Sequence, residues 1–452
     1  MRHRFIPLLL LLLGVALPVA AAEQAASPFF PYPMKVDRLP NGLTVIRVPF
    51  NSPGLVAYQT VVRVGSRNEV EPGRTGFAHF FEHMMFKGTK NHPEGEREKV
   101  IATYGFDDNA FTTDDITVYY SYGPTAGLLK LVEIEADRFR HLEYSEPAFQ
   151  TEALAVLGEY HKNAAQPGLK MEEELARTAF TTHTYGHTTL GYYDDIKAMP
   201  QAYAYSRTFF ERWYTPDNVL LVIVGDFDDD ALMNAVREHY GPWASKSATV
   251  TVATEPSQTK ERSVHIDWPQ STQPRLVYAW HSPAAKLDTS NAAIQAVLAD
   301  YLVGPTSPLY KELVLDKQVA QEIGSDFSLH RDPHLFSLVA VLQDEAGRAP
   351  VRTAFNAAVK ELVTGKVDAA RVEAIKSNTR YGLLMQLETA KSVASQLAWY
   401  AGIYGSPDAL AQHSQKVSEV KPSDLVAFAR RYLTAANRTV LSLTPAPAGG
   451  QK

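Results

Sequence analysis

The chain has 452 residues, of which 45% are hydrophobic, 21% are charged and none is cysteine. At ~100–200 residues per domain this length predicts at least two domains, and the balanced composition argues against a largely disordered chain. The lack of cysteine excludes disulfide frameworks, thiolate metal sites, iron–sulfur clusters and a cysteine nucleophile. A formal net charge of -6 argues against nucleic acid as the main partner.

The first residues have the order of a secretory signal peptide. Arg2 and Arg4 precede an apolar run, residues 5–17, and small residues follow as far as Ala22. The run is shorter than the ~20 residues that span a membrane, so we predict a cleavable signal peptide at residues 1–22 and no stable membrane span. A retained anchor or a buried N-terminal helix is the alternative. The sequence thus predicts an exported protein, which we place in the periplasm.

Past this segment, short strand patterns alternate with long amphipathic helical patterns. Residues 42–48 and 55–64 predict strands, because they are rich in β-branched residues and bounded by Gly, Pro and Asn. Apolar residues recur every three to four positions across residues 128–139, which predicts a helix. Pro147 suits the first turn of a further helix. The unbroken apolar run 219–224 predicts a buried strand.

A polar, proline-containing stretch, residues 246–263, predicts a linker between a domain of residues 23–245 and a domain of residues 264–452. The two domains share a local pattern in which a helix ends in an Arg/aromatic cluster and an Asn-containing turn leads into a strand. The corresponding residues are Phe210, Tyr214 and Asn218 in the first domain and Phe428, Tyr432 and Asn437 in the second. We interpret the pattern as a duplication, with coincidence as the alternative.

The most informative segment is residues 76–89. His79 and His83 are four residues apart, so on a helix both imidazoles project from one face and can converge on one metal ion. Glu82 lies on nearly the same face. A buried helix with two hydrogen-bonded histidines is the alternative. The order His-x-x-Glu-His favours the metal site, because this order is found in a class of zinc metallopeptidases. In such a site an unbound carboxylate takes a proton from water and passes it to the leaving amine.

The third ligand does not follow from spacing, because many acidic residues come after the two histidines. With this motif the sequence resembles the pitrilysin/insulinase family of zinc peptidases, which includes the mitochondrial processing peptidases. The resemblance implies that Glu159 completes the metal site and that Glu152, seven residues earlier, supports it. Ala153 replaces an Arg found in many relatives, and an exposed helix acid is the alternative for Glu152. The implied centre is one Zn²⁺ per chain, held by His79, His83 and Glu159, with Glu82 as the catalytic base.

The resemblance extends beyond the metal motif. Residues 86–89 match the segment that follows the metal helix of the family. Asn109, Ala110 and Phe111 look like its edge strand, which binds an extended peptide by backbone pairing. An ordinary strand is the alternative. The implied fold class is α+β, with two homologous α/β domains of the mitochondrial-processing-peptidase type, each a mostly antiparallel sheet with helices on one face.

The second domain departs from the family pattern. Self-sufficient members carry an Arg and, seven residues later, a Tyr that contact the substrate and stabilise the oxyanion. Counting from Leu309, these positions hold Val314 and Gln321, and no Arg occurs at residues 307–329. We therefore expect a paralogous subunit to supply the Arg/Tyr pair. The resemblance implies an exported zinc metalloendopeptidase for small or unfolded peptides, acting as one subunit of a heterodimer. A non-catalytic assembly or peptide-binding subunit on the same fold is the alternative.

A second pair of histidines, His330 and His334, is also four residues apart. Pro333 disfavours a regular helix at this position, because proline lacks the backbone N–H that a helix interior uses. We therefore interpret the segment as a loop or the end of a strand rather than as a metal site.

Overall fold

The computed structural model describes residues 22–24, 26–244 and 248–446. Of the predicted signal peptide, residues 1–21 lie outside the described residues. No helix within the described ranges is long and apolar enough to cross a membrane. We call the residues before 245 the first half of the chain and those after 247 the second half.

The strands of the first half form one sheet in the order β1-β2-β3-β7-β4-β6-β5. They are β1 (Ala22–Gln24), β2 (Met34–Arg38), β3 (Thr44–Pro49), β4 (Leu55–Val62), β5 (Asp107–Thr112), β6 (Thr117–Pro124) and β7 (Val219–Gly225). Neighbouring strands are antiparallel except for β3 and β7. Strand β5 therefore lies at an edge of this sheet.

The second half builds a sheet of the same topology. Its strands are β8 (Arg262–Trp268), β9 (Arg275–Ser282), β10 (Ala320–Asp326), β11 (His334–Leu342) and β12 (Arg438–Pro445). Their order, β10-β11-β9-β12-β8, repeats the order β5-β6-β4-β7-β3 of the first sheet. The pair β12 and β8 is parallel, as the pair β7 and β3 is, and the other pairs are antiparallel. Two similar, mostly antiparallel sheets confirm the predicted fold class.

Helices connect the strands in both halves. The first half contains α1 (Phe77–Met84), α2 (Glu96–Tyr104), α3 (Leu128–His141), α4 (Glu146–Ala164), α5 (Pro167–Ala179), α6 (Tyr193–Ala198), α7 (Tyr203–Trp213) and α8 (Asp229–Tyr240). The second half contains α9 (Asn291–Val303), α10 (Pro308–Tyr310), α11 (Arg348–Val363), α12 (Ala369–Met385), α13 (Ala390–Tyr404), α14 (Ala409–Glu419) and α15 (Pro422–Tyr432). A π-helical turn, Lys311–Asp316, follows α10. Short 3₁₀ turns occur at Ser66–Asn68, Thr125–Gly127, Thr184–Gly186, Met199–Gln201, Pro216–Asn218 and Glu345–Gly347.

Each half covers one face of its own sheet with helices and contributes one helix to the other sheet. Leu397 and Ala401 of α13 are buried in a core shared with Val61 and Val222 of the first sheet. Reciprocally, α5 packs against β8 and β12 of the second sheet. Helices α5 and α13 occupy the same place in the two repeats, as the third helix after β6 and after β11. The second face of each sheet is thus closed by a helix from the other half.

A repeated hydrogen bond fixes the alignment of the two halves. The side-chain amide of Asn218 donates to the carbonyl oxygen of Trp213 at 2.9 Å, and that of Asn437 donates to the carbonyl oxygen of Tyr432 at 2.8 Å. Trp213, rather than Tyr214, is therefore the counterpart of Tyr432. The expected pairing of Tyr214 with Tyr432 was wrong by one residue. In both halves the last residue of the helix precedes the Asn of the turn by five residues. The predicted domain and linker bounds stay predictions.

Candidate metal centre

Helix α1 carries the His-x-x-Glu-His motif, and its start is fixed by a buried carboxylate. Glu69 accepts hydrogen bonds from the backbone N–H groups of Gly76 and Ala78, each at 2.7 Å. A carboxylate at a helix N-terminus also interacts favourably with the helix dipole. Gly76 has a φ of 87°, and a Cβ atom there would lie 2.7 Å from the carbonyl oxygen of Leu190, so a side chain is excluded. Burial raises the pKa of Glu69, and the two N–H groups oppose this effect.

Helix α4 carries the two predicted glutamates and packs against α1. Its N-terminus is capped by Ser145, whose hydroxyl accepts from the N–H of Ala148. The rings of Phe80 on α1 and Phe149 on α4 meet edge to face, with centroids 4.8 Å apart. This contact between apolar side chains sets the distance between α1 and α4. The polar residues of the site meet across the gap between these two helices.

The structure brings His79, His83 and Glu159 together. Nε2 of His79 lies 3.6 Å from Oε2 of Glu159, and Nε2 of His83 lies 3.5 Å from the same oxygen. Ligands at ~2.0–2.1 Å from a tetrahedral zinc ion are about 3.3 Å apart. The two nitrogens and the carboxylate oxygen therefore fit a zinc ion. We call these three residues the metal centre; their roles as ligands stay predictions.

The electrostatics of His79 suit metal ligation. Burial, together with the neighbouring His83, lowers the pKa of His79 to about 4, so its imidazole is neutral near pH 7. A neutral imidazole is the form that binds a metal ion. Nδ1 of His79 is buried without a hydrogen-bond partner among the described residues. The Nε2 atom therefore remains the metal-facing nitrogen of this side chain.

Glu152 orients His83 from behind. Nδ1–H of His83 donates to Oε1 of Glu152 at 2.9 Å, which leaves the lone pair of Nε2 facing Glu159. This hydrogen bond raises the pKa of His83 and is the largest cause that lowers the pKa of Glu152 to about 2. Lys87 contacts the other oxygen of Glu152 at 2.8 Å. Lys87 was not among the predicted site residues, although it lies in the matched segment 86–89.

Glu82 lies beside the metal centre, where its carboxylate is held by a strand. The hydroxyl of Thr112, the last residue of β5, donates to Oε2 of Glu82 at 2.7 Å. Burial raises the pKa of Glu82, and the hydrogen bond from Thr112 lowers it. Thr112 was not predicted, because only the tertiary fold brings the end of β5 to α1.

The three predicted substrate-binding residues lie on β5. Asn109, Ala110 and Phe111 pair with β6 on one side, and the other edge of β5 pairs with no strand among the described residues. Asn109 and Phe111 are exposed, whereas Ala110 is buried. The structure thus places them at an open sheet edge next to Glu82, and their role in substrate binding stays a prediction.

The two positions expected to lack Arg and Tyr lie outside regular α-helix. Val314 is in the π-helical turn Lys311–Asp316, and Gln321 is an exposed residue of β10, at the edge of the second sheet. Neither side chain carries a charge or a phenol hydroxyl. The second half therefore offers neither the guanidinium nor the phenol hydroxyl at these two positions.

Comparison with known proteins identifies the family. The family described as Insulinase (Peptidase family M16) matches residues 54–192, and that described as Peptidase M16 inactive domain matches residues 203–379. The zinc protease PqqE of Helicobacter pylori is 27% identical over 457 residues, which cover 98% of this chain and all of that protein. The crystal structure of a protease from Helicobacter pylori has a TM-score of 0.85 at 27% identity, covering 91% of this chain and 99% of that one. The fold also resembles the periplasmic protease PqqL from Escherichia coli, with a TM-score of 0.73 at 19% identity, covering 94% of this chain and 48% of that one. Together the sequence matches span both halves, and the chain belongs to the insulinase family of peptidases, family M16.

Proposed function

We propose that this protein is an exported zinc metalloendopeptidase that hydrolyses small or unfolded peptides. The observation that carries the proposal is the position of Glu82. Its carboxylate is not one of the predicted ligands, yet Glu82 lies on α1 between His79 and His83, which are. A structural zinc site has no use for such a group, whereas hydrolysis needs a base beside the metal. The name zinc protease given to the Helicobacter pylori relative supports the same activity.

The residues of the site suggest how the chain performs hydrolysis. His79, His83 and Glu159 would hold one zinc ion, which would supply a Lewis acid that activates water and polarises the peptide carbonyl. Thr112 engages Oε2 of Glu82, so we assign Oε1 as the atom that accepts the proton of the attacking water. The same oxygen then returns the proton to the nitrogen of the leaving amine, which balances the reaction.

The open edge of β5 suggests the substrate class. An extended peptide can add a strand to a sheet edge through backbone hydrogen bonds, which favours unfolded segments over folded proteins. Because β5 ends at Thr112, a peptide paired with Asn109, Ala110 and Phe111 would run past Glu82. We therefore propose that these residues bind the peptide backbone with little dependence on its sequence.

We further propose that the chain is the zinc-bearing subunit of a periplasmic heterodimer. Val314 and Gln321 stand where the resemblance implies the Arg and Tyr that stabilise the oxyanion, so a paralogous chain would supply that pair. The match to PqqL spans about half of that chain, which is consistent with two units of this kind acting together. The signal-like N-terminus supports export. Co-purification from the native envelope fraction tests the pairing, and an active homodimer without a paralogue would refute it.

The test of activity separates an enzyme from a binding subunit. Zinc content and cleavage of a quenched unstructured peptide are measured for the wild type, for Glu82→Gln and for Glu98→Gln, which changes an exposed glutamate on α2. We expect all three to bind zinc at the metal centre, and only Glu82→Gln to lose cleavage. A chelator should abolish the wild-type activity. Equal activity in Glu82→Gln and the wild type would refute the assigned base, and no cleavage by the wild type with its partner would favour the binding subunit.

A further inference from the structure

A second group of metal-ligating side chains lies where the two halves of the chain meet. Asp114, in the turn after β5, lies near His330, in the loop before β11, and His334, the first residue of β11. Nδ1 of His330 lies 3.7 Å from Oδ2 of Asp114, and Nε2 of His334 lies 3.9 Å from the same oxygen. We call these three residues the interface cluster.

The interface cluster contains the same ligand types as the metal centre, two imidazoles and one carboxylate. In both, two histidines four residues apart in the sequence each place one ring nitrogen near the same carboxylate oxygen. The nitrogen–oxygen distances are 3.5–3.6 Å in the metal centre and 3.7–3.9 Å in the interface cluster. Two imidazoles and one carboxylate are donors that suit zinc and similar divalent ions. We propose that Asp114, His330 and His334 bind a second divalent cation of this class, which links the two halves of the chain.

The surroundings leave room and negative charge for such an ion. The cluster lines a cavity of about 430 Å³ between α5 and the second sheet, and Glu172 and Asp326 line the same cavity. The lining also includes one guanidinium, that of Arg275, and a bound cation would reduce the repulsion that remains among the three carboxylates. The cavity also provides space for water at the coordination position that the three protein ligands leave open.

Neighbouring groups orient Asp114 and can set the tautomer of His330. Ser66 donates to Oδ1 of Asp114 at 2.8 Å, which orients the carboxylate and leaves Oδ2 toward the histidines. Nε2 of His330 is 2.9 Å from the hydroxyl of Ser328, so Nε2–H can donate there while Nδ1 keeps a lone pair for the ion. Partners of this kind behind the ligands are usual in metal sites.

Ligation requires a small rearrangement. The rings of His330 and His334 are stacked, with centroids 3.6 Å apart and planes inclined by 21°. Imidazole lone pairs lie in the ring plane, so one ring must turn before both nitrogens point at one ion. His330 also lies 3.2 Å from Oδ2 of Asp115. Asp115 keeps its hydrogen bonds from Tyr185 and from the N–H of Arg331 when His330 turns, so it is not left unpaired.

The competing interpretation is a charge-assisted hydrogen bond from a protonated His330 to Asp115, which needs no metal. Metal stoichiometry distinguishes the two, independently of peptidase activity. Tag-free full-length protein is equilibrated with Zn²⁺, freed of unbound metal and analysed for zinc per chain. We expect two equivalents in the wild type, one in Asp114→Asn and one in His330→Gln. His265→Gln, which removes an exposed histidine from β8, is the control and should keep two.

A complementary variant, in which the interface cluster is intact, tests the proposal even if the variants of the cluster fail to fold. A chain carrying His79→Gln and His83→Gln should still bind one equivalent of zinc, and Zn²⁺ should raise its unfolding temperature, because a ligand that binds only the folded state stabilises it. Adding Asp114→Asn to this chain should abolish both effects. One equivalent in the wild type, or no zinc bound to the His79/His83 double variant, would overturn the proposal, as would two equivalents in Asp114→Asn.

Discussion

The hydroxyl of Thr112 donates a hydrogen bond to Oε2 of Glu82 at 2.7 Å, joining the end of the open edge strand to the helix of the metal centre. Through this contact, the strand that we propose to bind the peptide also holds the proposed base. The position of Glu82 relative to a paired peptide therefore depends on one side chain of the strand itself.

Thr112→Val should shift the acid limb of the pH profile of kcat/KM to higher pH. Glu82 must be ionised to accept a proton, burial raises its pKa, and the hydrogen bond from Thr112 lowers it. Removing the hydroxyl therefore raises the pKa further, so a larger fraction of the enzyme is protonated and inactive at a given acidic pH. Thr112→Ser keeps the hydroxyl and should retain the wild-type profile. An acid limb that coincides in all three proteins would contradict the role of Thr112.

Glu152→Gln should weaken zinc binding at the metal centre by about 10-fold or more. The substitution removes the negative charge that accepts the hydrogen bond from Nδ1 of His83, so the imidazole becomes a weaker ligand. Chelator competition measures the affinity. Glu94→Gln is the matched control, because Glu94 also contacts Lys87 but touches neither histidine, and its zinc affinity should match that of the wild type. Equal affinity in the two variants would count against the orienting role of Glu152.

The parts of the site that the sequence predicts are those set by local spacing. His79, Glu82 and His83 share a face because a helix brings residues three and four apart together. Glu159 was predicted from the family resemblance. The number of residues between the histidines and Glu159 does not show whether they lie close together in the fold. Thr112 and Lys87 were missed for a physical reason: each meets its carboxylate through tertiary packing, and Lys87 lies beyond the last residue of α1.

The same limit explains what was missed in the fold. The strands at residues 42–48, 55–64 and 219–224 and the helix at Pro147 agree with β3, β4, β7 and α4 to within about two residues at each end. Hydrophobic periodicity shows that a helix has an apolar face, yet it does not say which surface that face covers. The reciprocal placement of α5 and α13 on the sheets of opposite halves was therefore not foreseen.

Asn437→Ala should destabilise the protein more than Asn218→Ala. The amide of Asn218 donates to one carbonyl, that of Trp213, whereas the amide of Asn437 donates to the carbonyl groups of Tyr432 and His281. At ~1 kcal/mol per hydrogen bond, we expect a loss in unfolding free energy of about 1 kcal/mol for Asn218→Ala and about 2 kcal/mol for Asn437→Ala. Urea unfolding measures both. Equal losses would show that the second bond of Asn437 contributes nothing to stability, and the reverse order would contradict the prediction.

Gly402→Ala and Gly382→Ala should change stability in opposite directions. A Cβ atom at Gly402 on α13 would lie 2.9 Å from Cγ1 of Val61 and 3.1 Å from Cγ2 of Ile116, where the helix packs on the first sheet. Overpacking a core costs ~1–3 kcal/mol, which exceeds the gain of ~1 kcal/mol from replacing a helical glycine. Gly382 on α12 is exposed and has no neighbouring atom within 4 Å of a Cβ, so only the gain applies there. Urea unfolding should thus give a less stable Gly402→Ala and a more stable Gly382→Ala. A stabilised Gly402→Ala would mean that α13 does not need this close approach to close the first sheet.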